Sequence, residues 1–504
     1  MDLSKKLKKL EQARIGYWKK VDYFLSFRLK WRAQMVRHLF HILPGETILE
    51  LGSAAGQWSN EIVQLTKCAN PITAATFDPD SYAAMKSKGV EKPIEPIFLD
   101  DFPGKLKGRK FDFIIGWHLL TNDENNSLLV EVKKLLKQGG QILFFEPNPW
   151  NIYFNVRILF SRLMPFLKGR NDFDFRPRNR IDLFTIISEI GYSGIKILPY
   201  DFLYPPIPKK LLWATQNLSL ILENTPYLRN FAGSLYIWAQ NPASENWKRK
   251  RVNLAKHDSL KGKLSVIVPC HNEEMNIPPL IEHLIAYYDD YINEIIIVDD
   301  NSIDKTAEIT KDLSSTCPKI RLIQRSMPNG VGRALRDGID AAKAEYILML
   351  DCDFQHILPE ITDLFDAIVD GADVAVGSRF SRNSVLLNYA FTKIIANRGF
   401  HFLANFLLKK KFRDISNNLK LMKREVAKHL KIESNDFSAN AEIGLLPILQ
   451  GYNVKEIPIS WINRSVSMGF SSFNLIKTGP NYFFVLYKLF FRKLGGRCFD
   501  PKSK

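Results

Sequence analysis

Five cysteines in 504 residues are few, and Cys68, Cys270, Cys317, Cys352 and Cys498 are scattered and odd in number. That excludes a disulfide scaffold. No C-x-x-C occurs and no His/Cys cluster has zinc spacing, so a structural zinc site is not expected and a reduced compartment is. No apolar run reaches about 18 residues, so no membrane-spanning helix is predicted. The amino end is basic and amphipathic and lacks the apolar core of a secretory signal. Acid is in deficit: 70 Lys and Arg face 53 Asp and Glu, a formal net charge of +17. Such a surplus implies anionic partners: nucleic acid, sugar nucleotides or an acidic membrane surface. No nucleic-acid module and no internal repeat is visible. The run Lys248-Arg249-Lys250-Arg251 therefore reads as a solvated linker or membrane contact, with no nucleic-acid partner expected.

What is present is an α/β pattern, twice. At 504 residues the length suggests two to four domains. Residues 1–44 are helical in pattern, with lysines and arginines alternating with Tyr17, Trp18, Tyr23, Phe24, Phe27 and Trp31. Such a segment either lies on an anionic membrane or covers the next domain. Residues 45–240 form the first domain. Thr47–Leu51 reads as a strand ending in Glu50 and followed by a small-residue loop from Gly52 to Gly56. Glycines there let backbone approach a ligand, and the helix that follows offers free N–H groups. A second strand, Ile72–Phe77, ends at Asp78, where an acid can bind a ribose diol. Further strand ends carry Asp100-Asp101, Trp117-His118 and Glu146. Ser234–Ala239 is expected to close this sheet as an antiparallel edge. The dinucleotide fingerprint G-x-G-x-x-G is missing, which argues against a dehydrogenase. Residues 241–262 are cation-rich, lack an apolar period, and read as a basic linker.

Residues 263–472 form a second α/β domain, expected to hold a parallel sheet. Five strand ends in order carry polar groups: Pro269 to Glu274, Asp299 to Ser302, Asn329 to Arg333, Asp351 to Gln355 and Gly377 to Arg379. In Y-I-L-M-L-D-C-D-F-Q-H (346–356) a buried strand stops at two acids one residue apart. Ligands of open α/β sheets sit beyond the carboxyl ends of strands, and paired carboxylates there suit Mg²⁺ or Mn²⁺ on a diphosphate. Gln355 shares their parity and can add a carbonyl oxygen. Residues 473–504, like 385–411, combine apolar bulk with cations, as an interfacial helix or a helix packed on the core would.

The first series, I-L-E-L-G-S-A-A-G (48–56), T-F-D-P-D (76–80), F-L-D-D-F (98–102), F-D-F-I-I-G-W-H (111–118) and L-K-Q-G-G-Q-I-L-F-F-E-P-N (136–148), resembles class I methyltransferases that use S-adenosylmethionine. The resemblance implies a Rossmann-like fold. It also implies that Glu50, Gly52 and Gly56 cradle the methionine moiety, Asp78 holds the ribose and Asp100-Asp101 lies by the adenine. His118 is placed to act as a base on a hydroxyl acceptor. An alternative reading keeps this half as a non-catalytic cofactor-binding or scaffold module.

The second series is V-P-C-H-N-E-E (268–274), V-D-D-N-S-I-D-K-T (298–306), N-G-V-G-R-A-L-R-D-G (329–338), L-D-C-D-F-Q-H (350–356), V-G-S-R-F (376–380), A-N-R (396–398), R-D-I-S-N-N-L-K (413–420), A-E-I-G (441–444) and E-I-P-I-S-W-I-N-R (456–464). It resembles family 2 glycosyltransferases of the GT-A fold, in the subgroup similar to dolichol-phosphate mannose synthase and polyprenyl-phosphate glycosyltransferases. The resemblance implies that Pro269, Asn272, Glu273 and Asp300 hold the nucleoside, and that Asp351, Asp353 and Gln355 hold the metal. It makes Arg379, Arg398 and Arg464 candidates for acceptor phosphate or donor diphosphate. If the acceptor is a hydroxyl, a carboxylate base is needed, and Glu442 and Asp414 are the candidates. The expectation is a bifunctional enzyme at the cytoplasmic face of a membrane. It would pass sugar from a nucleotide sugar to a lipid phosphate or glycolipid, and methylate a related substrate.

Overall fold

The computed structural model describes residues 3–18, 22–88, 92–121, 126–152, 155–156, 159, 177–203, 207–244, 247, 249, 254–353, 358, 360–381, 384–387, 389–462 and 475–494. The chain divides into two compact units, Met1–Trp247 and Lys248–Lys504.

The first unit is a seven-stranded sheet of β1 (Ile48–Leu51), β2 (Ile72–Thr76), β3 (Ile94–Phe98), β4 (Phe111–Trp117), β5 (Leu136–Pro147), β6 (Ser193–Tyr200) and β7 (Ser234–Gln240). Their order is β3-β2-β1-β4-β5-β7-β6. β1 to β5 are parallel, and β7 runs antiparallel to both its neighbours. The strand at Ser234 is thus antiparallel as expected, but it is not the edge. Its run S-L-Y-I-W-A-Q is buried almost throughout, as a strand covered on both faces must be. The half-exposed β6 takes the edge instead.

Residues 1–44 are not a separate surface segment. Helices Leu3–Trp18 and Asp22–Phe40 bury Leu7, Leu10, Phe24, Trp31 and Phe40 in the first unit, and Phe40 stacks on Phe113 with ring centroids 4.5 Å apart. Arg14, Arg28 and Arg32 turn inward rather than toward a membrane. Arg28 donates to Asp201 (2.5 Å) and, with Arg32, to the Ser234 hydroxyl (3.0 Å each).

The second unit holds β8 (Leu264–Cys270), β9 (Ile292–Asp299), β10 (Ile320–Gln324), β11 (Tyr346–Met349), β12 (Val374–Ser378), β13 (Val385–Leu387), β14 (Lys420–Lys423), β15 (Val454–Pro458) and β16 (Ser460–Ile462). The main sheet has the order β10-β9-β8-β11-β14-β12-β15, and β13 pairs with β16. The sheet is mixed rather than parallel, because β14 enters antiparallel to β11 and β12. K-L-M-K is too short to show a period, and its first lysine is fully buried, so sequence pattern hides it.

The basic linker is narrower than 241–262. Trp247 packs where a Cβ on Gly139 would sit. Ala255–Leu260 is a 3-10 helix whose fully buried His257 lies 2.8 Å from the Asp366 carboxylate. Helix Leu475–Leu494 packs on the core, one of the two alternatives read from its sequence. Val485, Leu486 and Leu489 are buried in the core of the second unit, each contributing about 1.5–3 kcal/mol. Phe483, Phe484, Tyr487, Phe491 and Leu494 remain exposed. Among the described residues, no helix is long and apolar enough to cross a membrane.

Candidate functional site

A cavity of about 390 Å³ opens at the carboxyl ends of β8, β9, β11 and β12. Each strand contributes residues at or near its last paired position. β8 delivers Pro269, Cys270, His271 and Glu273; β9 leads to Asp300; β11 leads to Asp351, Cys352 and Asp353; β12 leads to Arg379. Helix Phe391–Leu408 adds Lys393, Asn397 and Phe400 to the wall, and helix Leu475–Leu494 adds Tyr482 and Phe483. Helix Leu475–Leu494 is therefore part of the cavity wall and not only of the surface.

The wall at the ends of β8 and β9 is held by its own hydrogen bonds. Asp300 accepts from the Arg325 guanidinium and from the Gly330 amide (2.5 Å). Arg325 also bonds Asp337 at 2.6 Å, and the Asp300 carbonyl lies 2.9 Å from His271 Nδ1. Glu273 receives Asn276 Nδ2 at 2.5 Å. Asn272 sits at φ 57° and uses its side chain to hold the Ile303 amide (2.9 Å), so it shapes the loop and does not line the cavity.

At the centre, Asp351 accepts from Asn418 Nδ2 at 2.7 Å, with Asp353 beside it on the cavity wall. Between them Cys352 turns inward, its sulfur 2.6 Å from that of Cys270. Two hard carboxylates fit a divalent cation whose remaining ligands are diphosphate oxygens and water. Among the described residues no cluster of three His, Cys, Asp or Glu forms a closed metal cage. Gln355 lies outside the described residues.

The far wall is an ion pair. Arg379 meets Asp414 through Nε (2.7 Å), a terminal nitrogen (2.9 Å) and its own amide (2.9 Å). A further guanidinium nitrogen reaches the Tyr389 hydroxyl at 3.2 Å, and the guanidinium lies 5.5 Å from the Trp461 ring centre. Burial pushes the Asp414 carboxyl up, but the Arg379 charge and hydrogen bonds outweigh it and hold the pKa at about 2. Asp414 is thus no general base. Behind it, burial lowers the Lys420 ammonium to about 7, against the pull of Asp414 and Asp351.

Two further expectations fail on geometry. Glu442 does not line the cavity; its carboxylate accepts from the amides of Glu433 (3.0 Å) and Ser434 (2.8 Å) and fixes a turn. Arg398 is exposed, 5.9 Å from the Phe380 ring centre, and is not on the wall. Arg464 lies outside the described residues. Sequence reading missed Arg325, Tyr389, Lys420 and Tyr482. No short motif marks Arg325, whereas Lys420 stood within a quoted block whose apolar neighbours concealed its burial.

In the first unit Gly52 (φ 68°) and Gly56 (φ 74°) make the left-handed turns the loop needs. Burial raises Glu50 to about 7 against opposition from Ser59 and Arg14, and raises Glu146 to about 7 against the amides of Leu120 and Leu119. Asp78 sits at the end of β2, its carboxylate accepting from Ser81 (3.0 and 2.8 Å) and Gln12 (3.1 Å). Asp100 and Asp101 are exposed beyond β3, with Asp100 paired to Lys105 at 2.7 Å. His118 is a poor proton acceptor. Burial first, then the charges of Arg32, Arg28 and Arg14, hold its pKa well below the usual imidazole range.

A mixed α/β sheet that gathers a polar loop after its first strand and an acid pair after a central one has the architecture of a GT-A glycosyltransferase. Comparison with known proteins agrees. The profile of Glycosyl transferase family 2 matches residues 265–431. A dolichol-phosphate mannosyltransferase of Pyrococcus furiosus is 30% identical over 184 residues, 36% of this chain and 52% of that protein. This chain thus spans about half the length of that relative. An uncharacterized protein of Methanocaldococcus jannaschii is 30% identical over 251 residues, 49% of this chain and 98% of its own length. A polyprenol monophosphomannose synthase of Mycolicibacterium smegmatis is 27% identical over 210 residues, 40% and 78% of the two chains. The glucosyl-3-phosphoglycerate synthase structure from Mycobacterium tuberculosis overlaps with a TM-score of 0.37 at 15% identity, covering 48% of this chain and 86% of that one. An overlap of that size carries no argument. Through its second unit the chain belongs to glycosyl transferase family 2.

Proposed function

We propose that the second unit transfers a sugar from a nucleotide sugar to a polyprenyl or dolichyl phosphate at a membrane surface. One observation carries the reading: the acid pair Asp351/Asp353 and the Arg379–Asp414 clamp face one cavity walled by two helices with exposed aromatic residues. The nucleoside rests against Pro269, Glu273 and Asp300. Asp351 and Asp353 would hold a divalent cation, which offsets charge on the departing nucleotide diphosphate. Arg379, fixed by Asp414 and Tyr389, presents its cation to the acceptor phosphate. A phosphate monoester is largely ionised at neutral pH, its second pKa being about 6, so attack with inversion needs no protein base. Asp414, the carboxylate beside Arg379, is held at a pKa of about 2 by that guanidinium and makes a weak base, which favours this acceptor over a hydroxyl. Lys393 and the exposed aromatics of both helices suit contact with an anionic cytoplasmic leaflet.

The test is transfer of labelled sugar from nucleotide sugars to polyprenyl phosphate in detergent with Mn²⁺ or Mg²⁺. Asp353→Ala is expected to abolish it. Equal transfer to a free polyprenol would sink the phosphate acceptor.

For the first unit the reading is a site for S-adenosylmethionine and methylation of a glycan or lipid-linked substrate. Glu50, Gly52, Gly56 and Asp78 at adjacent strand ends support it. The weak basicity of His118 favours an acceptor that needs little proton removal. The non-catalytic module remains the second reading, favoured by the contacts described next.

A further inference from the structure

Several groups of the assigned cofactor site already have partners on helix Leu3–Trp18. Arg14 donates to the Gly52 carbonyl through one nitrogen and to the Trp117 carbonyl through the other, at 2.7 Å. Glu11 accepts from the amides of Ala54 (2.7 Å) and Phe77 (2.6 Å) and from the Thr76 hydroxyl (2.9 Å). Gln12 donates to the Asp78 carboxylate at 3.1 Å, and Ser4 accepts from the Phe102 amide at 2.9 Å. One helix thus bonds the carboxyl ends of β1, β2, β3 and β4. Leu7 and Leu10 anchor it in the core beside Leu99, Phe102 and Leu119. As they stand, these residues do not fit a bound nucleoside cofactor.

We infer that helix Leu3–Trp18 is a built-in occupant of the nucleoside site, and that a zwitterionic nucleoside binds there only as the helix leaves. The inference rests on the cofactor reading of the first unit and adds its regulation. The contacts read as a mould of the ligand. A guanidinium sits on the Gly52 carbonyl, where a ligand's ammonium would go. A carboxylate sits on the Ala54 and Phe77 amides, which bind an anion. A carboxamide sits on Asp78, which binds hydroxyl donors. A competitor must supply a cation, an anion and a ribose-like hydroxyl at similar spacing, which describes an amino-acid-bearing nucleoside rather than a plain one. The glutamate and the arginine neutralise each other, so the helix leaves a full set of satisfied groups in a buried place. An occupant of this sort reduces apparent ligand affinity by the fraction of molecules in which it is displaced.

The probes are S-adenosylhomocysteine, which carries the amino acid, and methylthioadenosine, which lacks it. Calorimetry on the full chain is expected to show S-adenosylhomocysteine binding about tenfold or more tighter to Glu11→Gln/Arg14→Ala than to the unaltered protein. Methylthioadenosine is expected to gain less. Because that variant could lose its fold, hydrogen exchange on the unaltered protein gives a second readout. Saturating S-adenosylhomocysteine should speed exchange of amides in 3–18. Equal or weaker binding by a folded variant, with those amides unchanged or slowed, overturns the occupant and leaves the cofactor site standing. No binding by either form at millimolar ligand overturns both. Faster exchange in 3–18 with the ligand bound supports the inference even if the variant is unstable.

Discussion

Asp414 and Arg379 show how a buried pair decides between mechanisms. Asp414→Asn leaves the guanidinium without its counter-charge in a largely buried place. The expected cost is about 3–5 kcal/mol, measured by urea unfolding, together with loss of sugar transfer. The pair also sets an acid limit. The unfolded carboxyl titrates near 3.8 and the folded one at about 2, so folding favours its charged form. The stabilisation is complete above about pH 4 and is lost as pH falls from there through 2. Glu50 and Glu146 behave in the opposite way: folding raises each from 4.5 to about 7, and Glu223 rises by burial to about 8. Ionising them costs the folded state, so the first unit is expected to lose stability as pH rises from about 4.5 through 8. Thermal unfolding followed between pH 5 and 8 should show a falling midpoint for this unit, and a midpoint constant over that range rejects the idea. At this scale the gathering of Pro269, Glu273, Asp300, Asp351 and Asp353 at one cavity was legible, because strand ends have a strong signature. The bases Glu442, Asp414 and His118 were not, because sequence shows a titratable group but not the partner that consumes it.

At the scale of elements, helix Leu475–Leu494 has two faces with separable roles. Leu489→Ala should cost about 2–5 kcal/mol in unfolding, since it empties core. Phe484→Glu with Phe491→Glu should leave the unfolding midpoint near its starting value yet reduce co-sedimentation with anionic vesicles. Unchanged sedimentation would remove the membrane role. In helix Ala439–Leu449 a Cβ on Gly444 would overlap the Ile415 carbonyl, one residue past Asp414. Gly444→Ala therefore should cost about 1–3 kcal/mol and displace the clamp loop, read as lost stability together with lost transfer. Most strands were legible from their apolar runs. β14 was not, and β7 was placed at the wrong position, because strand order depends on which faces are covered and not on local pattern.

For the whole molecule, the surplus of cations and the exposed aromatics together predict vesicle binding that weakens as salt rises past about 0.15 M, where screening shortens to ~8 Å. Binding insensitive to salt would assign it to the aromatics alone. The division into two units was legible because the same strand-end chemistry appears twice, with a basic stretch between. The docking of residues 1–44 was legible only as one of two alternatives, since an amphipathic basic helix looks the same on lipid as on protein. The placement of Tyr482 on the cavity wall carries a consequence for biosynthesis. At roughly 5–20 residues per second, on the order of ten seconds separates synthesis of Asp353 from synthesis of Tyr482. During that interval the nascent sheet can form with one side of its cavity open to solvent. Among the described residues of the site, helix Leu475–Leu494 is translated after all the others, so sugar transfer should begin only once it has emerged from the ribosome.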